Sequence, residues 1–267
     1  MNKWINKWLR VYLKCYINLI LYYRNVYPET TFDLTTFQGF NLPQYIPINR
    51  DETLQNYIEE LITDLISKLN HIYRVGICII DSKTGYCIEK YALDFGEFQH
   101  FSDKEKEERQ MSLIKETDVF DEFRSSLNSL TSKLEKMDKI LDNTVTFEIV
   151  INTLEMNLGH GVVDTITNRE DDETLQFERD TNWVKMKEDD NLPNPEMKNN
   201  VSAEDDGIIV SQPEHQSQLH RPKIRMTALA GCDIGPFVIH NYIEKLLMDS
   251  AATEGVYKDI SFTSSFS

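Results

Sequence analysis

The sequence predicts an α+β fold that combines three amphipathic helices with a set of mostly antiparallel strands. Three observations carry this prediction. Three stretches have apolar residues at helical spacing, two strand-like runs flank a short glycine-containing loop, and two further runs lie near the C-terminus. The chain has 267 residues, of which 40% are hydrophobic, so one large domain or two small ones can form a core.

The N-terminal segment is predicted to be a helix that packs in the core. Residues 1–27 contain no acid, and their apolar run is shorter than the roughly 20 residues of a bilayer span and lacks a small-residue cleavage site. A core helix with a solvated basic face is favoured, and a helix lying in a membrane interface is the alternative. The apolar stripe comprises Ile5, Leu9, Tyr12, Leu13, Tyr16, Ile20 and Tyr23, and the basic face comprises Lys3, Lys7, Arg10, Lys14 and Arg24.

A second helix is predicted after an ordered connection. Residues 29–50 contain several aromatic side chains, which would be costly to leave in water. Asn49 and Glu52 then have the spacing of a capping box, which predicts a helix N-terminus at Asn49. The apolar stripe of this helix comprises Leu54, Tyr57, Ile58, Leu61, Ile62, Leu65, Ile66 and Leu69.

A hairpin, a third helix and a strand are predicted next. Runs 75–80 and 86–95 flank a short loop with a glycine, which is typical of a β-hairpin. Residues 144–154 are rich in β-branched side chains and predict a strand. The third helix is predicted to begin near Thr117, and its stripe comprises Val119, Phe120, Phe123, Leu127, Leu130, Leu134 and Met137.

The net charge of −16 is concentrated in one segment. Residues 170–214 contain 14 acidic and 4 basic residues and supply −10 of it. Residues 188–221 have little to bury, so disorder or a long flexible loop is predicted there. Strands are expected to resume at 223–229 and 237–243, and 251–267 are expected to be a frayed tail. The acidic balance argues against sequence-independent binding to a phosphate backbone.

The residues that commonly carry chemistry do not form a recognisable catalytic or metal-binding motif. The four cysteines include no CxxC pair, and no histidine stands at metal-ligand spacing from them, so buried or inert thiols in a reducing compartment are expected. The sequence has neither a GxSxG nor an HExxH motif, and His160 between two glycines has no P-loop lysine. We therefore expect no enzyme, and no catalytic, cofactor or metal site.

The order of the predicted elements carries a family resemblance. The segments that carry it are WLRVYLKCYINLILYYRNVYP, LQNYIEELITDLISKL, YRVGICIID, YCIEKYALDF, VFDEFRSSLNSL, TVTFEIVINTL, DTNWVKMKEDDNLP, KIRMTAL and GPFVIHNYIEKL. In sequence and order they resemble the fungal accessory subunits of the translesion DNA polymerase zeta, which are HORMA-domain proteins. The charged residues 100–116 and the acidic residues 193–221 depart from the family and look like insertions.

The resemblance implies a HORMA domain, in which three helices pack on a mostly antiparallel sheet and a C-terminal safety belt closes over an extended partner peptide. The implied boundaries are 1–178 for the HORMA core, 179–250 for the belt with its acidic insertion at 188–221, and 251–267 for the tail. A long polar connection allows C-terminal strands to reposition at little entropic cost. An ordinary long surface loop is the alternative interpretation.

The resemblance also assigns binding residues. Tyr57 and Trp183, with Leu61 and Val184 beside them, are implied to contact the partner peptide, since amphipathic aromatic residues are common interface anchors. A core role is the alternative for Tyr57 and Trp183. Arg124 is implied to pair two HORMA domains, and a solvated flank of the third helix is its alternative. Docking of a second translesion polymerase is implied for Ile224 and Met226, and less firmly for Ile239.

The implied function is a non-catalytic adaptor that acts in the nucleus without a cofactor. It would hold an extended, proline-containing peptide of the polymerase zeta catalytic subunit, bind a second translesion polymerase, pair with a second copy of itself, and reach DNA only through partners. One alternative is a HORMA adaptor in checkpoint or meiotic chromosome signalling. Another is a peripheral membrane scaffold that uses the basic N-terminal helix.

Overall fold

The computed structural model describes residues 3–35, 46–69, 72–95, 114–153, 223–235, 237–247 and 255–257. These residues form three α-helices and seven strands. The helices are α1 (Lys3–Tyr23), α2 (Glu52–Ser67) and α3 (Glu116–Leu134), and a short 3-10 helix spans Glu29–Thr31. The strands are β1 (Phe32–Thr35), β2 (Ile46–Asn49), β3 (Ile72–Asp81), β4 (Cys87–Asp94), β5 (Val145–Thr153), β6 (Lys223–Ile234) and β7 (Phe237–Leu247).

The three predicted helices are confirmed, but the capping box before α2 is wrong. Asp51 is the N-cap, and its side chain accepts a 2.9 Å hydrogen bond from the Leu54 N–H. Asn49 ends β2, where it pairs with Phe32, and its amide oxygen accepts a hydrogen bond from the Asp51 N–H. Because pairing in β2 holds the Asn49 backbone extended, the helix begins two residues later than the sequence pattern predicts.

The main sheet has five strands in the order β5-β3-β4-β7-β6, and all neighbours are antiparallel. The predicted hairpin is confirmed as β3 and β4, and the C-terminal runs form a second hairpin, β6 and β7. The predicted ordered connection contains the small sheet of β1 and β2. Of the charged segment 100–116, residues 100–113 lie outside the described residues, and Glu116 begins α3. The acidic segment at 188–221 also lies outside them.

The core lies between the helices and one face of the main sheet. Helix α1 is buried on most of its circumference, well beyond the predicted stripe, because it contacts both α2 and α3. One contact between α1 and α3 is the stacking of Tyr12 on Phe123, with ring centroids 4.9 Å apart. None of the helices in the described part of the chain is both long and apolar enough to cross a membrane.

Two predictions about exposed segments need correction. Arg24 does not belong to a solvated basic face: its side chain is fully buried and pairs with Glu89 of β4 at 2.8 Å. The predicted frayed tail contains an ordered part, since Tyr257 pairs with Ile140 in an isolated bridge and Val256 is buried. In both cases the stabilising partner lies far away in the sequence, where local periodicity carries no information.

Candidate peptide-binding site

The two edges of the main sheet differ in what surrounds them. Within the described residues β3 is the only strand that pairs with β5, so the outer side of β5 is an unpaired edge there. At the opposite edge, side chains of α3 satisfy part of β6: the Ala230 N–H donates to Ser129 Oγ and the Asp233 N–H donates to Glu122 Oε2, both at 3.0 Å. An unpaired strand edge is a template for the addition of another strand.

An aromatic cluster lies beside the unpaired β5 edge. Tyr57 of α2 remains 44% exposed and contacts Phe147 of β5 edge-to-face, with ring centroids 6.3 Å apart. Tyr27, which follows α1, contacts Phe147 from another direction at 6.2 Å. Phe147 and Tyr27 are both half-buried. The cluster therefore presents an aromatic surface next to unpaired backbone groups, which suits an extended peptide.

The hydroxyl of Tyr57 lies in a partly buried environment. Partial burial, and secondarily the neighbouring Tyr27, raise the pKa of Tyr57 above its ordinary value. A neutral phenol can donate and accept one hydrogen bond while its ring packs on an apolar ligand. The combination fits the recognition of a peptide that offers both side chains and backbone carbonyls.

Leu61, the second α2 residue assigned to peptide contact, lies in a different environment. It is 6% exposed and faces inward, one helical turn after Tyr57. Together with Ile149 of β5 and Leu13 of α1, it lines a small enclosed cavity between the helices and the sheet. In this structure Leu61 belongs to the core and presents almost no side-chain surface to a ligand.

The remaining assigned residues fall into three environments. Ile224 and Met226 protrude from the β6–β7 hairpin and are 61% and 65% exposed, whereas Ile239 is 1% exposed on the opposite face. The burial of Ile239 leaves the proposed docking surface to the other two side chains. Arg124 is half-buried on α3, beside β6. Trp183 and Val184 of the predicted belt lie outside the described residues.

Sequence reasoning missed Tyr27 and Phe147 as members of the cluster. Phe147 lies in the β-branched run TVTFEIVINTL, where an aromatic residue is expected in a strand and gives no separate signal of binding. Tyr27 lies at the end of the N-terminal periodicity. Among the described residues, no group of three or more His, Cys, Asp or Glu side chains is placed to hold a metal ion.

Comparison with known proteins identifies the family to which this chain belongs. The HORMA domain matches residues 6–154, which is more than half of the chain. This chain belongs to the HORMA domain family. The HORMA match runs from α1 through β5, so it includes Tyr27, Tyr57 and Phe147 but not the β6–β7 hairpin.

A relative of known role covers almost the whole of this HORMA protein. It is the "DNA polymerase zeta processivity subunit" of Saccharomyces cerevisiae, which is 52% identical over 263 residues, or 96% of this chain and 94% of the relative. The alignment therefore extends past the HORMA match into the acidic segment and the C-terminal hairpin. The family resemblance found in the sequence is confirmed.

Solved structures show the same HORMA fold at low sequence identity. A chain of the mitotic checkpoint complex superposes with a TM-score of 0.54 and 14% identity, covering 91% of this chain and 98% of its own. Caenorhabditis elegans HTP-2 bound to a HIM-3 closure motif superposes with a TM-score of 0.51 and 11% identity, covering 90% and 89%. The predicted α+β HORMA fold is confirmed, and at these identities the likeness concerns the fold alone.

Proposed function

We propose that this chain is the accessory, non-catalytic subunit of a DNA polymerase zeta. The support is the 52% identity to the yeast processivity subunit, which extends over nearly the full length of both chains. A subunit of such a polymerase acts on chromosomal DNA, so the proposed location is the nucleus. The net charge of −16 agrees with contact to DNA through partners, because direct, sequence-independent contact needs a basic face.

The proposed task of the subunit is to hold an extended, proline-containing peptide of the catalytic subunit. The observation that carries this proposal is the exposed Tyr57 ring, which rests on Phe147 beside the unpaired edge of β5. The peptide would add to β5 as a further strand, so that its backbone pairs with the edge and its apolar side chains pack on the aromatic cluster. Trp183 and Val184 would close over the peptide from the belt.

The connectivity of the chain supports a belt. The described chain leaves the main sheet at Thr153 of β5 and re-enters it at Lys223 of β6, which is the opposite edge. Residues 154–222 therefore join the two edges of one sheet. A long connection between two strands can reposition at little entropic cost, as a belt requires.

A binding experiment with two matched tyrosine variants tests this proposal. We expect Tyr57→Ala to weaken binding of the catalytic-subunit peptide by roughly 30-fold, or about 2 kcal/mol, as at an interface anchor. Tyr86→Ala is the control, since Tyr86 is 47% exposed in the turn before β4 and lies outside the cluster. Trp183→Ala tests the belt. Affinities are measured by isothermal titration calorimetry, with circular dichroism to verify the fold.

Each outcome of this experiment has a defined meaning. Equal affinities of the Tyr57→Ala variant and the unmodified chain would refute the peptide site at β5. A loss in Tyr57→Ala together with no loss in Trp183→Ala would retain the β5 site and remove Trp183 from it. An equal loss in Tyr86→Ala would show that the effect does not depend on the aromatic cluster.

The proposed adaptor role has a second surface. Ile224 and Met226 are apolar side chains on one exposed face of β6, and such a patch is suited to dock the second translesion polymerase. Arg124 on the neighbouring α3 is the proposed contact to a second copy. Both surfaces lie at the β6 edge of the sheet, and the peptide would add at the β5 edge, so both can be occupied while a peptide is held.

The two alternative functions are less well supported. A checkpoint or meiotic role rests on solved structures that share the fold at 14% identity or less, whereas the polymerase role rests on 52% identity. A membrane scaffold would need a free apolar face on α1, and that face is buried in the core. Co-purification followed by mass spectrometry distinguishes the first alternative from the polymerase role. Recovery of no polymerase subunit would favour checkpoint or chromosome signalling.

A further inference from the structure

The C-terminal segment Gly255–Tyr257 occupies a defined position on the folded domain. Its backbone is held by the connection between α3 and β5: the Leu141 N–H donates to the Val256 carbonyl at 2.8 Å, and Tyr257 forms an isolated antiparallel bridge with Ile140. Val256 is only 4% exposed. The segment is thus bound through backbone pairing and one buried aliphatic side chain.

The hydroxyl of Tyr257 reaches the most buried ion pair of the described chain. It donates a 2.9 Å hydrogen bond to Glu89 Oε1, and Glu89 is itself 1% exposed. The same carboxylate accepts two hydrogen bonds from Arg24, at 2.8 and 2.9 Å, and one from Tyr91 at 2.8 Å. A buried carboxylate is stable only when its oxygens accept hydrogen bonds. Tyr257 donates one of the four hydrogen bonds that Glu89 accepts, and Arg24 and Tyr91 of the core donate the other three.

The ring of Tyr257 also contacts the C-terminal hairpin. The Lys245 ammonium of β7 lies 4.3 Å from the ring centroid and 3.5 Å from Asp138 Oδ2. Lys245 is the direct register partner of Glu89 across the β4–β7 pairing. One side chain therefore contacts both strands of the junction through which the β6–β7 hairpin joins the rest of the sheet.

We propose that Gly255–Tyr257 is a latch that the chain's own C-terminus supplies, and that it holds β7 against β4. When the latch is docked, separation of the two strands breaks the Lys245–ring contact and exposes the Glu89 carboxylate in addition to the strand hydrogen bonds. When it is released, only the strand pairing and the helix contacts hold the hairpin. Docking of the tail therefore adds to the free energy needed to open the hairpin, whatever partner the domain binds.

Hydrogen–deuterium exchange of the full-length chain tests the latch. Tyr257→Phe removes one hydrogen bond to a buried charge, so we expect roughly tenfold faster exchange of the amides at 243–247 of β7. Val256→Asp, which places a charge in the buried position, should give a larger acceleration at the same amides. Tyr86→Phe is the matched control and should leave exchange unchanged, because Tyr86 is an exposed tyrosine in the turn before β4. The amides of β3 and β5 serve as an internal reference.

A reciprocal variant completes the test. Lys245→Met keeps the aliphatic stem and removes the ammonium, so the tail amides of Val256 and Tyr257 should exchange faster if tail and hairpin stabilise each other. Unchanged exchange at 243–247 in Tyr257→Phe would overturn the latch. Acceleration that is uniform over α1, β3 and β7 would also overturn it, since that pattern indicates global destabilisation. The conservative Tyr257→Phe variant decides the question even if Val256→Asp fails to fold.

Discussion

The two edges of the main sheet differ in how their backbone groups are covered. At the β6 edge, side chains of α3 accept hydrogen bonds from two backbone N–H groups, those of Ala230 and Asp233, and Gly231 in the bulge between Leu229 and Cys232 lies close to the Ile239 backbone of β7. At the β5 edge, the described chain supplies no further strand, and the exposed Tyr57 ring lies beside it. The β6 edge is thus closed in part by the chain itself, and the β5 edge is the one at which we propose that a peptide adds.

The difference between the edges follows from how each is attached. The β6–β7 hairpin is tied to the helices through buried polar contacts: Asn241 of β7 accepts from the Tyr16 hydroxyl at 2.9 Å and donates to Ser126 Oγ at 3.2 Å. The β5 edge carries Asn152, whose amide oxygen is buried without a hydrogen-bond partner among the described residues. Satisfied polar groups stabilise the first edge, whereas the described chain offers the Asn152 oxygen no comparable contact at the second.

The largest effect is expected from a substitution that breaks the β6 edge. A Cβ on Gly231 would lie 2.1 Å from the Ile239 carbonyl oxygen, which is a backbone atom that cannot move without shifting β7. We expect Gly231→Ala to lower the free energy of unfolding by about 3 kcal/mol, as overpacking does. Urea denaturation followed by circular dichroism measures the change.

Gly235→Ala is the matched control for the Gly231 substitution. Gly235 lies in the turn of the same hairpin with φ of +68° and has open space at its Cβ position, so only backbone strain of about 1 kcal/mol is expected. Equal losses in the two variants would show that the close contact with Ile239 does not hold the β6 edge.

The next effect compares one asparagine from each edge. Asn241→Ala should cost about 2 kcal/mol of unfolding free energy, because the buried Tyr16 hydroxyl loses its acceptor. Asn152→Ala removes an oxygen that has no partner in the described chain, so its effect should stay within about 0.5 kcal/mol. Both are measured by thermal and urea denaturation. A larger loss for Asn152 than for Asn241 would reverse the proposed difference between the edges.

The smallest effect concerns binding at the exposed face of the hairpin and leaves the fold intact. Ile224→Ser and Met226→Ser should each weaken binding of a second translesion polymerase by roughly tenfold, with unfolding free energy unchanged. Leu34→Ser is the control, since Leu34 is an equally exposed aliphatic residue, at 58%, on the separate β1–β2 sheet. Surface plasmon resonance gives the affinities. Equal losses in the control would indicate a general effect of surface polarity.

Prediction from the sequence succeeded where the signal was local. The stripes of α1, α2 and α3 and the hairpin of β3 and β4 depend on residues within a few positions of each other, and all were found. Helical periodicity did not predict which residues of a stripe remain exposed to solvent. Tyr57 and Leu61 lie on the same stripe of α2, yet Tyr57 is 44% exposed and Leu61, which lines the core cavity, is 6% exposed.

Prediction failed where a distant partner decided the environment. Arg24 follows α1 with the same charge as the lysines before it, but its guanidinium is buried against Glu89, which lies 65 positions away. The tail at 255–257 has no apolar periodicity, and its order depends on Ile140 and Glu89. Such pairs leave no pattern in adjacent residues, so a single sequence contains no sign of them.

The amino-acid order alone therefore predicted the three helices, the strands of the main sheet and the family, but not the small sheet of β1 and β2. Helical and strand periodicity and a recognisable succession of segments are properties of neighbouring residues. The tertiary structure alone decided that the C-terminal hairpin pairs with β4, so that among the described residues β5 has only β3 beside it. It also decided that Tyr27 and Phe147 join Tyr57, and that Tyr257 donates a hydrogen bond to a buried ion pair. These features depend on strand order and burial, which arise only when residues far apart in the chain compete for the same partners.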